Sequence, residues 1–117
     1  MGIAEELKAF QDKAMQQAME GNYDLTYYHP DVMAISTQYK KPLLGVQEVV
    51  GAEKKELEGQ KTQPKLQSLC IKQFGDTVIE TGTYHEENGK SGQFMFVSKY
   101  LGNGKFQALA EAFAENK

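Results

Sequence analysis

The order of the predicted secondary-structure elements is the feature that most restricts the fold of this 117-residue chain. Apolar residues at spacings of three and four predict helices over Ala4–Glu20 and Val46–Glu58, with an extended segment over Val32–Tyr39 between them. Four strand-like segments follow, namely Leu66–Phe74, Thr77–His85, Gln93–Leu101 and Lys105–Phe113. Short glycine-bearing turns join these segments, which predicts an antiparallel meander. Helices followed by a meander are typical of an α+β fold, and the length predicts one domain over residues 1–117.

Both faces of the predicted sheet have apolar centres. In the third strand of the meander, Phe94, Phe96 and Tyr100 lie on one face, and Met95 and Val97 lie on the other. An antiparallel sheet with one solvated face alternates between apolar and polar side chains instead. The two helices can cover only one face. We therefore expect a homodimer in which a second copy covers the other face; the alternative is a curled sheet that buries its own second face.

Composition argues against nucleic-acid and membrane partners. The net charge is -3, from 13 Lys and Arg residues against 16 Asp and Glu residues, so no basic surface is available for phosphates. No apolar run approaches the length that spans a bilayer. The first residues lack a basic segment followed by an apolar core, and the single cysteine, Cys70, rules out an internal disulfide. We expect a cytoplasmic protein.

The sequence offers no cofactor motif. No His, Cys and Asp cluster has the spacing of metal ligands, and the glycines Gly102 and Gly104 close a hairpin instead of forming a phosphate loop. We therefore expect neither a metal nor an organic cofactor.

A succession of short motifs resembles the SnoaL-like family of the nuclear-transport-factor-two-like superfamily. The motifs are Gly21–Asp24, Tyr28–Ile35, Leu44–Val50, Gly75–Tyr84 and Gly104–Gln107. Each motif is short, so the specificity of the resemblance lies in their order, which covers nearly the whole chain. The resemblance implies N-terminal helices packed in a strongly curved, mostly antiparallel sheet. This cone-shaped α+β barrel has a pocket at its mouth and usually forms a dimer across the sheet.

The same superfamily contains steroid isomerases, polyketide cyclases and dehydratases. Its ketosteroid isomerases use a carboxylate base together with two donors that hold the oxyanion. By ungapped matching, these three groups fall near Ser36, Ala14 and Phe96, and none of these residues supplies the required group. The ketosteroid isomerase reaction is therefore not expected.

Glu111 and His85 are the candidate catalytic residues. Glu111 is the only acid within Lys105–Phe113. It shares a face of the predicted strand with Leu109 and Phe113. If that face lines the cone, the carboxyl group projects among apolar side chains, and desolvation raises its pKa. If the face of Phe106 and the neighbouring alanines lines the cone instead, Glu111 lies at the surface or at a dimer interface, and we favour this arrangement. His85 ends the second meander strand and can titrate near neutrality, although a histidine at the rim of a hairpin is the commoner situation.

A set of aromatic and flexible side chains is suited to a ligand pocket. Its members are Met15, Met19, Tyr28, Met33, Tyr39, Phe94, Phe96 and Phe113. Core packing explains most of them, but tyrosine hydroxyls need partners when they are buried, which suits a small amphipathic ligand.

Three functions follow from these observations. The first is a homodimeric SnoaL-like domain that binds a small, mostly apolar molecule in the cone pocket without the ketosteroid isomerase groups. The second is an isomerase, lyase or cyclase that uses Glu111 or His85 as its acid and base. The third is an oligomerisation module, because the related association domain of calmodulin-dependent kinases assembles through this fold.

Overall fold

The computed structural model describes residues 2–58 and 60–116. Its helices are α1 (Ile3–Met19) and α2 (Val46–Leu57), with a short 3-10 turn, Leu25–Tyr27, between them. Its strands are β1 (Tyr28–Ser36), β2 (Leu43–Leu44), β3 (Lys65–Phe74), β4 (Thr77–His85), β5 (Ser91–Gly102) and β6 (Lys105–Glu115). The predicted α+β class is confirmed. The sequence did not predict β2, and it placed the start of β1 four residues too late.

All six strands form one sheet in the order β2-β1-β6-β5-β4-β3. The four C-terminal strands form the expected antiparallel meander, and β2 is also antiparallel to β1. The remaining pair, β1 with β6, is parallel, with Met33 opposite Ala110 and Ile35 opposite Ala112. The sheet is therefore mixed but mostly antiparallel, and β6 lies near its centre.

Bulges in β3 and β6 reverse the side-chain alternation along these two strands. In β3 the register shifts between Ser68 and Cys70, so Leu69 has no partner in the ladder. In β6 the register shifts at Leu109, because Ser98 pairs with Ala108 while Val97 pairs with Ala110. A bulge inserts one residue and so moves every later side chain to the opposite face.

Two glycines on the concave face leave room for aromatic rings. Gly82 pairs with Phe94 and Gly92 pairs with Tyr84 across β4 and β5. A Cβ atom on Gly82 would lie 2.8 Å from the Phe94 ring, and one on Gly92 would lie 2.7 Å from the Tyr84 hydroxyl. These glycines therefore let the rings lie flat against the sheet where it curves.

Both helices pack on the concave face of the sheet. Leu7 from α1 packs with Val78 and Phe106, and Val49 from α2 packs with Val32 and Ala34. Fully burying an aliphatic or phenyl side chain contributes about 1.5–3 kcal/mol, so these two clusters anchor the helices. They hold α1 against β4 and β6 and α2 against β1, and a cavity remains between the helices and the sheet.

The convex face of the sheet keeps apolar side chains exposed. Ile35 is 54% exposed, Met95 42% and Leu69 65%. The curvature of the sheet does not bury this face within one chain, which removes the alternative of a self-covering sheet. Within residues 2–58 and 60–116, no helix has the length and hydropathy that crossing a membrane requires.

Candidate functional site

A cavity of about 180 Å³ lies between the two helices and the concave face of the sheet. One wall is α1, which presents Leu7, Gln11, Ala14, Met15 and Ala18. These residues recur at spacings of three and four, because 3.6 residues per turn bring them to one side of the helix. Gln11 is the polar member of this otherwise apolar wall.

The opposite wall is formed by β5 and β6. Phe96 and Ser98 come from β5, and Glu111 and Phe113 come from β6. Phe96 pairs directly with Glu111, and the rings of Phe96 and Phe113 meet edge to face with centroids 5.7 Å apart. The carboxyl group of Glu111 therefore emerges between aromatic side chains.

Glu111 forms a hydrogen-bonded carboxyl pair with Glu53 of α2. Glu53 also accepts a hydrogen bond from the Tyr28 hydroxyl, with 2.6 Å between the Tyr28 oxygen and Glu53 Oε2. Both carboxyl groups line the cavity. Within the pair the protonated Glu111 donates and the Glu53 carboxylate accepts.

Burial and mutual repulsion explain the titration of this pair. Burial raises the pKa of Glu111 well above its usual range, and the negative charges of Glu53 and Glu56 raise it further. Burial also raises the pKa of Glu53, but the hydrogen bonds from Tyr28 and Glu111 oppose that rise. Glu111 is therefore the group that holds the shared proton, and the two sites titrate as a unit.

A second tyrosine–glutamate contact lies next to the pair. The Tyr39 hydroxyl donates to Glu56 Oε1 at 2.8 Å, and burial raises the pKa of the Glu56 carboxyl. Burial and the neighbouring carboxylates raise the pKa values of Tyr28 and Tyr39 too, so both hydroxyls keep their protons and remain donors. In the described part of the chain, no three His, Cys, Asp or Glu side chains converge as metal ligands.

Ser98 provides a buried hydroxyl on the cavity wall. The residue is only 8% exposed, and it lines the cavity. Of the side-chain hydrogen bonds among the described residues, none involves this hydroxyl, whereas neighbouring Gln11 donates to Glu80 at 2.7 Å. A buried hydroxyl without a protein partner is available to a ligand or to water.

The structure brings five of the ten predicted site residues together in the cavity lining, namely Met15, Tyr28, Phe96, Glu111 and Phe113. Two more support the site from behind. Phe94 stacks on Phe96 with ring centroids 4.4 Å apart, and Tyr39 bonds Glu56.

The other three predicted residues lie outside the lining. This corrects Met19 and Met33 as ligand-binding residues and places His85, the second catalytic candidate, at the rim position that is commoner for such a histidine. Met33 is 52% exposed because it alternates with the inward residues Val32 and Ala34. His85 is exposed because its neighbour Tyr84 takes the inward position at the end of β4. Met19 lies in the last turn of α1, one residue beyond the last lining position, Ala18.

The expectation that Glu111 faces outward is also corrected. Strict alternation places Phe106 and Glu111 on opposite faces, but the bulge at Leu109 brings both to the concave face. Phe106 is buried against α1, and Glu111 lines the cavity.

Sequence reasoning missed Glu53 and Glu56. A usable signal existed, because Glu53 is four residues after Val49 and four before Leu57, both of which lie in the apolar stripe of α2. A carboxylate in the stripe that faces the core is unusual enough to mark a site.

The three positions matched to the catalytic groups of ketosteroid isomerases, Ala14, Ser36 and Phe96, all line this cavity. Their side chains provide neither a carboxyl group nor a tyrosine hydroxyl. The acidic groups of the cavity come instead from α2, from the far part of β6 and from Glu86, which directly follows β4.

Comparison with solved structures identifies the fold as NTF2-like. A putative calcium/calmodulin-dependent protein kinase II association domain from Xanthomonas campestris matches with a TM-score of 0.77 and 16% identity, covering 99% of this chain and 89% of that chain. A ketosteroid isomerase-like protein from Erwinia carotovora atroseptica matches with a TM-score of 0.69 and 10% identity, over 95% and 94% of the two chains. An NTF2-like protein of unknown function from Shewanella oneidensis matches with a TM-score of 0.69 and 16% identity, over 96% and 95%. The sequence matches no protein-family model and no curated protein.

Proposed function

We propose that this chain is a SnoaL-like domain that binds a small, mostly apolar molecule in the cavity between its helices and sheet. The observation that supports this function best is the cavity itself, which has a largely aliphatic and aromatic lining and a carboxyl pair at one side. Binding pockets commonly combine an apolar lining with a few convergent polar groups that orient the ligand.

The cavity has room for a small occupant. It opens to solvent on one side, so water fills it when no ligand is bound, and a ligand gains free energy by displacing that water from the apolar walls. Engineered apolar cavities of about 150 Å³ bind benzene, which sets the expected ligand size at about one ring.

A cavity-filling variant tests this function. We expect benzyl alcohol to raise the thermal unfolding temperature of the wild-type protein and to shift NMR signals of residues that line the cavity. Ala14→Leu adds three carbon atoms to the cavity wall and should abolish both effects while the protein stays folded. Ala9→Leu is the matched control, because Ala9 lies on the exposed side of the same helix. Equal binding by the Ala14→Leu variant contradicts the proposal.

Acid–base catalysis is a second candidate function, and the Glu53–Glu111 pair favours it. A protonated carboxyl next to an ionised one provides an acid and a base within one cavity. An isomerase or lyase needs this combination to move a carbon-bound proton. The reaction class supported here is proton transfer on a small unsaturated or hydroxylated ketone.

Turnover of single-ring ketones tests the catalytic function. Glu111→Gln keeps the size and the donor of the side chain but cannot release a proton, so we expect at least a hundredfold loss of kcat with an unchanged circular dichroism spectrum. Glu58→Gln, at the exposed end of α2, is the control and should retain full activity. Retained activity in Glu111→Gln rules out this role.

We also propose that the protein is a homodimer that pairs through the convex face of the sheet. Support comes from a row of side chains that crosses the sheet in register: Ile35 pairs with Ala112, Ala112 with Met95, and Met95 with Thr81. The exposed Leu69 extends this row onto β3. Exposed apolar patches of this kind mark interfaces more often than solvated surface.

A further inference from the structure

The ionisable groups that line the cavity are all acids. Among the described residues of the lining these are Glu53, Glu56, Glu86 and Glu111, and none is Lys, Arg or His. The positive charge of Lys90, which lies outside the lining, lowers the pKa of Glu56. Tyr28 and Glu111 already direct their protons to Glu53. What the lining does not offer the carboxyl pair, therefore, is a positively charged side chain.

Aromatic rings surround the place where the carboxyl pair enters the cavity. Phe96 lies directly across the ladder from Glu111, and Phe113 follows Glu111 by two residues on the same face. Tyr84 meets Phe113 edge to face with ring centroids 6.0 Å apart. The negative faces of aromatic rings attract cations, and the attraction increases when water is excluded.

Ser98 adds an independent polar feature to the same cavity. Its hydroxyl lies on the wall formed by β5, two residues along the strand from Phe96, and it is unpartnered among the side-chain hydrogen bonds of the described residues. The residue is 8% exposed and lines the cavity, so its hydroxyl can meet a polar group of a ligand or a water molecule there.

From these three features we infer that the ligand is a small amine, bound as its ammonium ion with the charged group against Glu53 and Glu111 and its apolar part along α1. The inference rests on the proposed ligand-binding function and names the class of ligand. The ammonium group takes the place of the shared proton, which leaves Glu111 for the solvent as the amine binds, and the N–H groups of the ammonium then donate to the two carboxylates. A carboxylate ligand of the same size would instead add a negative charge beside the acids already present.

Three probes of one size test this inference on the wild-type protein. Benzylammonium, benzyl alcohol and benzoate share one ring and differ in the charge of the substituent. We expect isothermal titration calorimetry at neutral pH to show benzylammonium binding at least tenfold more tightly than benzyl alcohol, with no measurable binding of benzoate. This comparison needs no variant, so it does not depend on the folding of any mutant protein.

The double variant Glu53→Gln/Glu111→Gln tests whether the carboxyl pair causes the preference for benzylammonium over benzyl alcohol. It removes both carboxyl groups and keeps the side-chain volumes, so we expect benzylammonium and benzyl alcohol to bind it within twofold of each other. Binding of benzyl alcohol also shows that the variant is folded. Glu58→Gln serves as the charge control and should retain the wild-type preference.

The outcomes separate the two proposals. If benzyl alcohol binds as tightly as benzylammonium to the wild-type protein, the amine assignment is wrong and ligand binding stands. The assignment is also wrong if the double variant keeps the preference, because the amine then binds elsewhere. If none of the probes binds, the proposed ligand-binding function fails together with the inference.

Discussion

Two carboxyl groups in contact inside a protein cannot both be ionised without a large electrostatic penalty. In this chain the penalty is avoided because Glu111 keeps its proton and directs it to Glu53. The Tyr28 hydroxyl donates to Glu53 as well, so two donors stabilise one carboxylate. The charge of the pair is therefore set by its protein partners, which also hold it in place for a ligand.

The raised pKa values make the stability of the folded protein depend on pH. A carboxyl group whose pKa is higher in the folded state than in the unfolded state stabilises the fold fully only below the unfolded pKa. That contribution is lost as pH rises through the folded pKa, by up to about 1.4 kcal/mol per pH unit for one proton. We therefore expect the Glu111→Gln variant, which has no proton to lose there, to gain stability relative to the wild type as pH rises above about 4.5.

Urea denaturation between pH 4.5 and pH 8 measures this difference in the free energy of unfolding. Glu58→Gln should follow the wild-type profile, because Glu58 is exposed at the end of α2. Parallel profiles for Glu111→Gln and the wild type would show that Glu111 is not protonated in the folded protein.

The residues of the pair differ in how well the sequence predicts them. Glu111 is predictable as a site residue because it is the only acid within Lys105–Phe113, but alternation alone places it on the wrong face. Glu53 occupies a position of the α2 stripe at helical spacing from Val49 and Leu57, and a pattern of apolar residues alone does not reveal it. A charged residue within an apolar stripe is itself a signal of a site.

At the scale of the elements, the bounds of both helices and of the four meander strands follow closely from apolar periodicity and glycine turns, whereas the start of β1 and the bulges do not. A bulge depends on the backbone path of two strands at once, so no local pattern in β6 announces the unpaired Leu109. The two-residue strand β2 is missed for a related reason, since Leu43–Leu44 is too short for any alternation to appear. The same elements carry glycines whose role becomes clear only from the rings that cover them.

Substitution of Gly82 tests how closely β3 and the Phe94 ring approach the backbone of β4. A Cβ atom at this position meets the backbone oxygen of Gln67 and lies 2.8 Å from two atoms of the Phe94 ring. The backbone oxygen cannot move without disturbing the ladder, so we expect Gly82→Ala to lower the free energy of unfolding by about 1–3 kcal/mol, the usual range for an overpacked core.

At Gly51 we expect the same substitution, glycine to alanine, to stabilise the protein instead. It lies within α2 with nothing within 4 Å of a built Cβ atom, so Gly51→Ala should raise the free energy of unfolding by about 1 kcal/mol through helix propensity. Chemical denaturation of both variants under one set of conditions makes the comparison. A neutral or stabilising Gly82→Ala would mean that β3 and β4 are farther apart than the structure shows.

At the scale of the whole molecule, the two faces of the sheet have different roles. The concave face is covered by α1 and α2 and encloses the cavity, while the convex face keeps Ile35, Leu69 and Met95 exposed. The cavity wall and this exposed row share strands β5 and β6, so residues of one strand alternate between them. Pairing of two copies would hold these strands in place and so stabilise the wall that carries Phe96 and Glu111.

Met95 is the place to test the proposed homodimer. It lies in the middle of the exposed row, paired with Ala112 on one side and with Thr81 on the other. We expect light scattering to give twice the chain mass for the wild type. A stable interface buries about 800 Å² on each partner. Met95→Lys would place an unpaired charge in this buried area, so we expect it to weaken association at least tenfold and to give mostly monomer at micromolar concentration. Leu25→Lys changes an equally exposed leucine in the 3-10 turn, away from the sheet, and should remain dimeric. A monomeric wild type, or a Met95→Lys variant that remains dimeric, excludes pairing through this face.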